Sequence, residues 1–104
     1  QMYKYFAFND PDWDYATYDF ATWAEDIAAM APLLDATDPD LSAFKDSGGK
    51  LIMAHGWSDP ALTALYSTQY YGQAEALDAD QRDYFRLFMM PGMLHCGGGP
   101  GTCS

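Results

Sequence analysis

Basic residues are scarce: five Lys and Arg stand against fifteen Asp and Glu in 104 residues, for a formal charge of -10. Binding to nucleic acid requires Lys and Arg to neutralise phosphates, so the balance argues against that class of partner. It argues equally against an anionic membrane surface. No run of about 18 apolar residues occurs, so no segment reads as a membrane-spanning helix. The start, Gln1-Met2-Tyr3-Lys4, lacks the basic and apolar regions of a signal peptide. Gln1 is not an initiator residue, which fits a processed piece. There are two cysteines, Cys96 and Cys103, close together in a Gly-rich tail. They can pair with each other, pair with cysteines elsewhere, or stay free, and the count does not decide. There is no internal repeat and no low-complexity tract beyond the glycines.

Hydrophobic residues make up 49% of the chain and aromatics 16%, enough for a core in one small domain. The acids are scattered, as on a solvated surface. The first 16 residues hold Tyr3, Tyr5, Phe6 and Phe8, then a turn-rich acidic stretch, N-D-P-D-W-D. Asp10, Asp12 and Asp14 match the first three ligand positions of a calcium loop. Tyr15 and Ala21 then fall where that loop needs Gly and Glu, so the stretch reads as an acidic turn.

Phe20, Trp23, Ile27 and Met30 recur at helical spacing and predict a helix over about 18–30, closed by Pro32. Leu33 to Asp38 reads as a loop. Asp38 can cap a short helix over about 39–47, with Pro39 at its first position and Gly48-Gly49 at its end. Leu41 and Phe44 would point inward. Residues 50–55, K-L-I-M-A-H, form a continuous apolar run that predicts a strand buried on both faces. Residues 61–77 read as a helix with Leu62, Leu65, Tyr66, Tyr70 and Leu77 on one broad face. Residues 84–90 read as a second strand.

Strand, helix, strand at this spacing predicts parallel pairing with a right-handed crossover, hence an α/β fold. Two parallel strands do not make a complete sheet, so these read as members of a larger one supplied by further chain. In such sheets the chemistry gathers beyond the carboxyl ends of the strands. Asp59 follows the first strand in G-W-S-D-P, and His95 follows the second in P-G-M-L-H-C-G-G-G-P.

An aspartate accepting the imidazole Nδ1–H fixes the tautomer and leaves Nε2 to act as base. Ser-Asp-His is the chain order in α/β hydrolases, and Asp59 and His95 match its last two members. The first is missing. Ser42, Ser47, Ser58, Ser67 and Ser104 all lie outside a G-x-S-x-G context. Ser58 comes nearest but sits where the acid belongs, before Pro60. The remaining candidates have plain readings. Asp59 before Pro60 also suits a turn. His55 closes its strand, needing one hydrogen bond. A metal site built from His55, Asp59, His95 and Cys96 matches no common zinc spacing. Trp57, Tyr70 and Tyr71 read as packing.

The stretches G-G-K-L-I-M-A-H-G-W-S-D-P and F-R-L-F-M-M-P-G-M-L-H-C-G-G-G-P-G together resemble the C-terminal part of the tannase and feruloyl esterase family. D-A-T-D-P-D-L-S-A-F-K is also similar to the segment before the first of them. The resemblance covers 35–101 well and 1–34 loosely. It implies that residues 1–104 are the C-terminal segment of one α/β-hydrolase domain. It further implies a secreted or periplasmic serine esterase acting on esters of aromatic acids, without a cofactor in the chemistry. A calcium ion, where present, would lie in a lid that these residues do not include. By motif, Asp59 resembles the triad acid and His95 the base. Cys96 resembles a cysteine disulfide-linked to one beside the nucleophilic serine, whereas the family pattern assigns no partner to Cys103. The departure is the missing serine, oxyanion hole and lid, so the 104 residues alone are expected to be inactive. The implied partners are an aromatic ester and the N-terminal remainder of the enzyme. The rival expectation is a non-catalytic fragment or interaction module whose open sheet edge pairs with another chain.

Overall fold

In the computed structural model, which describes residues 2–101, the chain divides between Ala36 and Thr37 into two units. The first combines short helical turns with a cluster of aromatic contacts. The rings of Tyr3, Phe8, Trp13, Tyr18 and Phe20 touch in sequence, with centroids 5.0 to 6.0 Å apart. The acidic stretch is a set of turns: Asp10 Oδ1 accepts from the Asp12 N–H, and Asp14 Oδ1 from that of Ala16.

The continuous helix predicted over 18–30 does not form. In its place are a 3-10 turn at Phe20–Thr22, the helix α1 at Trp23–Asp26, further turns, and α2 at Ala31–Leu34. Local polar groups explain the break. The Thr22 hydroxyl approaches both the Asp19 carbonyl and Asp26 Oδ2, and Tyr18 donates to the same carboxylate oxygen. Such bonds compete with a helical ladder. Pro32 does not close a helix; it lies in the first turn of α2, where its missing N–H costs nothing.

The second unit carries the parallel pair. Strand β1 is Leu51–Gly56 and strand β2 is Phe85–Met90, in register from Leu51 with Phe85 to Gly56 with Met90. Helix α4, Ala64–Leu77, joins and covers them. A shorter helix, α3, Ser42–Asp46, precedes β1.

The predicted boundaries move for identifiable reasons. Asp38 and Asp40 each fold the chain in a tight turn, accepting from the Asp40 and Ser42 N–H groups, so α3 begins after the second turn rather than at Pro39. Gly48, at φ 77°, ends it as expected, with the Gly49 N–H reaching the Phe44 carbonyl. Helix α4 begins at Ala64, not Ala61, because the Asp59 carboxylate takes the N–H groups of Ala61 and Leu62. The Thr63 hydroxyl then caps it by accepting from the Leu65 N–H.

The core is Ala74, Tyr84 and Phe85, with Leu41, Leu51, Met53, Tyr70 and Tyr71 packed around it. This corrects the expected helix face. Leu62, Leu65, Tyr66 and Leu77 are exposed, while α4 turns the small residues Ala64 and Ala74 inward. Only one sheet face is covered within the described residues. Ile52, Ala54, Arg86 and Phe88 form the other and are exposed, so the strands are not buried on both faces as predicted.

Phe85 is fully buried and meets the Tyr71 ring edge-on at 5.0 Å. Phe85→Ala in the intact protein is expected to lower stability by about 3–5 kcal/mol. Urea unfolding reads this as a shifted midpoint with an unchanged slope, and an unshifted midpoint would remove Phe85 from the core.

Candidate active site

Because Gly56 and Met90 are register partners, both strands stop at one level. Their following loops are then laced together. The Trp57 N–H donates to the Met90 carbonyl at 3.0 Å and the Ser58 N–H to the Met93 carbonyl at 3.1 Å. The contact depends on glycine at 56, since a methyl group there would collide with the carbonyl oxygens of Met93 and Leu94. The loop after β2 is closed by the Leu94 N–H donating to the Gly98 carbonyl. Within it, Cys96 has φ 59°, the left-handed region unusual for a side-chain-bearing residue.

This lacing brings Asp59 and His95 together: Nδ1 of His95 lies 2.8 Å from Oδ2 of Asp59. The acid is enclosed and the base accessible, with side chains 3% and 49% exposed. Oδ1 of Asp59 accepts from the Ala61 N–H at 2.8 Å and the Leu62 N–H at 3.0 Å. Oδ2 receives a second imidazole, Nε2 of His55, at 3.2 Å. Three of these contacts are hydrogen bonds, from Ala61, Leu62 and His95, and the fourth sets the His55 ring close against Oδ2.

The Leu62 N–H, with the His95 ring and the Ala61 N–H, holds the Asp59 carboxyl well below the usual carboxylate range, against the opposing cost of burial. Asp59 is therefore ionised and accepts the Nδ1–H of His95, so in the neutral ring Nε2 holds a lone pair. An imidazole in that tautomer, half exposed and backed by a buried carboxylate, can take and return a proton at Nε2.

The other predicted residues are found in different states. Cys96 is exposed beside His95, and Cys103 lies outside the described residues. Ser58 joins the loop lacing through its backbone N–H. Tyr70 and Tyr71 pack as expected. Trp57 does not: it is half exposed and lines an open hollow of about 530 Å³ with Asp59, Pro60, Leu62, Leu65 and Tyr66. His55 makes more contacts than the single bond predicted for it, engaging Ser67 and Leu62 as well as Asp59. Ser67 was outside the expected site. Its place one turn after Ala64, on the sheet-facing side of α4, is the signal that could have found it.

The model of the family described as tannase and feruloyl esterase matches residues 1–104. Feruloyl esterase C of Talaromyces stipitatus is 39% identical over 104 residues, covering 96% of this chain and 20% of that protein. Mono(2-hydroxyethyl) terephthalate hydrolase of Piscinibacter sakaiensis is 51% identical over 67 residues, covering 64% of this chain and 11% of that protein. The fold is similar to the crystal structure of feruloyl esterase B from Aspergillus oryzae, with TM-score 0.72 and 29% identity, covering 98% of this chain and 23% of that one. The chain thus spans about a fifth of the length of the feruloyl esterases it matches.

Two outcomes follow from the geometry. Gly56→Ala should displace the backbone at 93–94 and weaken or abolish the His95–Asp59 bond, read by NMR as a loss or upfield move of the His95 Nδ1–H resonance. An unmoved resonance would show that the loops tolerate the methyl group. The second concerns pH. A depressed carboxyl contributes stability that is fully present above its unfolded value, near the ordinary 3.8, and lost as pH falls through the lower folded value. The gap in thermal stability between the native protein and Asp59→Ala should therefore be constant above that value and narrow below it. A gap independent of pH would contradict the assignment.

Proposed function

The chain belongs to the tannase and feruloyl esterase family, and from that premise we propose that it is the acid- and base-bearing part of a carboxylic ester hydrolase acting on esters of aromatic acids. One observation carries the reading: the 2.8 Å bond from His95 to a buried, ionised Asp59 at the carboxyl ends of two parallel strands. In this reading residues 1–104 are the C-terminal segment of one α/β-hydrolase domain. The rest of the domain supplies the nucleophilic serine, the oxyanion-binding N–H groups and the chain covering Ile52, Ala54 and Phe88.

The steps conserve protons. Nε2 of His95 takes the serine hydroxyl proton as the serine oxygen bonds to the ester carbonyl carbon, and Asp59 stabilises the resulting imidazolium. The imidazolium then gives that proton to the departing alcohol, leaving an acyl-enzyme. A water molecule is deprotonated in the same way, and the proton returns to the serine as the aromatic acid leaves. No cofactor enters these steps. Cys96, exposed beside His95, forms a disulfide with a cysteine near the serine, tying the base to the nucleophile. A disulfide there fits a secreted or periplasmic location.

The direct test is hydrolysis of 4-nitrophenyl ferulate by the full-length protein. His95→Ala should lower kcat by about 10⁵-fold or more, as loss of a triad base does. Asp59→Asn should lower it by about 10⁴-fold through the wrong tautomer. Undiminished hydrolysis in either variant would sink the assignment, as would an inactive native protein. Peptide mapping without reductant should link the Cys96 peptide to one from outside residues 1–104; a Cys96–Cys103 link would remove the proposed tether.

A further inference from the structure

His55 stands at the penultimate position of β1, on the face covered by α4, with its side chain 14% exposed. Its ring is held on both nitrogens. Nδ1 lies 2.7 Å from Oγ of Ser67, in the first turn of α4. Nε2 lies 3.2 Å from the Leu62 carbonyl oxygen and 3.2 Å from Oδ2 of Asp59. A carbonyl oxygen can only accept, so in the neutral ring Nε2 carries the hydrogen and donates it to Leu62, with Oδ2 of Asp59 close beside that N–H. Nδ1 is then the acceptor, and Ser67 donates to it. A histidine that merely closed a strand would need one partner, whereas this one ties strand, helix and loop to the carboxylate.

The two oxygens of Asp59 are held differently. Oδ1 is gripped by two backbone N–H groups of its own loop. Among the described residues, Oδ2 has one hydrogen-bond donor, His95, on a glycine-flanked loop and half exposed, and a second imidazole against it at 3.2 Å. That second ring, His55, is anchored in the sheet and braced by the helix. Without it, Oδ2 could pivot about the Oδ1 contacts and follow His95, instead of His95 being aligned on it.

We propose that His55, with its tautomer fixed by Ser67, is a positioning residue that holds Oδ2 of Asp59 in line with His95. This rests on the esterase reading, in which His95 is the base. His55 touches neither nucleophile nor substrate in that scheme. It supports the dyad from a rigid element, and a displacement of about 1 Å at such a site is enough to slow turnover by about 100-fold.

The test uses the full-length protein with 4-nitrophenyl ferulate. His55→Leu is expected to lower kcat by about 10–100-fold with KM within about twofold, and to shift the His95 Nδ1–H resonance. His55→Gln places an amide nitrogen near the position of Nε2 and should restore kcat to within about threefold of native and return the resonance. Ser67→Ala, which frees the tautomer but leaves the ring, should cost about threefold in kcat. Native kcat in His55→Leu overturns the proposal, as does equal impairment in the Leu and Gln variants. If His55→Leu does not fold, the other two decide: unchanged kcat and resonance in Ser67→Ala, or no recovery in His55→Gln, overturns it. If the native protein does not cleave the ester, the esterase reading fails by itself. The positioning claim is then judged by the resonance, which must still move in His55→Leu.

Discussion

A carboxylate has room for about four N–H donors, and Asp59 receives three, two from its own loop and one from His95, with a second imidazole, that of His55, close against Oδ2. Much of the local geometry follows from those bonds. The bonds to Ala61 and Leu62 bend the chain sharply after β1 and delay the start of α4 until Thr63 can cap it. They also allow a charge to remain in a side chain that is 3% exposed. An enclosed carboxylate lacking these donors would favour protonation and could no longer fix the tautomer of His95. Burial and ionisation are reconciled here chiefly by hydrogen bonds, with the His95 ring adding a charge interaction.

The second constraint is the approach of the two loops. Parallel strands that end in register deliver their following residues to the same place, but their side chains meet only if the backbones can touch. Gly56 permits that contact, and the bonds from Trp57 and Ser58 maintain it. The Asp–His pair is thus an outcome of strand register, one absent Cβ and a loop closed at Gly98.

The strands and the pair were legible in the sequence because each depends on a short-range pattern. Lys50–His55 and Tyr84–Met90 are apolar runs bounded by turn residues, and parallel pairing follows from the helix between them. Asp59 and His95 then stand beyond the strand ends by position alone. The broken helix before Ala36 was not legible, because its apolar spacing is helical while the competing bonds of Thr22 and Tyr18 to Asp26 depend on side-chain direction. The same limit hid the inward face of α4. Hydrophobicity favours Leu62, Leu65 and Leu77, yet close packing of helix on sheet selects Ala64 and Ala74, and no single-residue preference expresses that distance. His55 and Ser67 escaped for a related reason: each is unremarkable until the partner is in place.

The pairing of Asp59 with His95 joins residues 36 positions apart, one strand-helix-strand unit and nothing more. In folding terms that is a long-range contact, closed once the parallel strands have paired. The geometry of the pair is nevertheless set by contacts internal to that stretch of chain. On the proposed reading, a nucleophile supplied from elsewhere would meet an imidazole whose orientation is already set by Asp59.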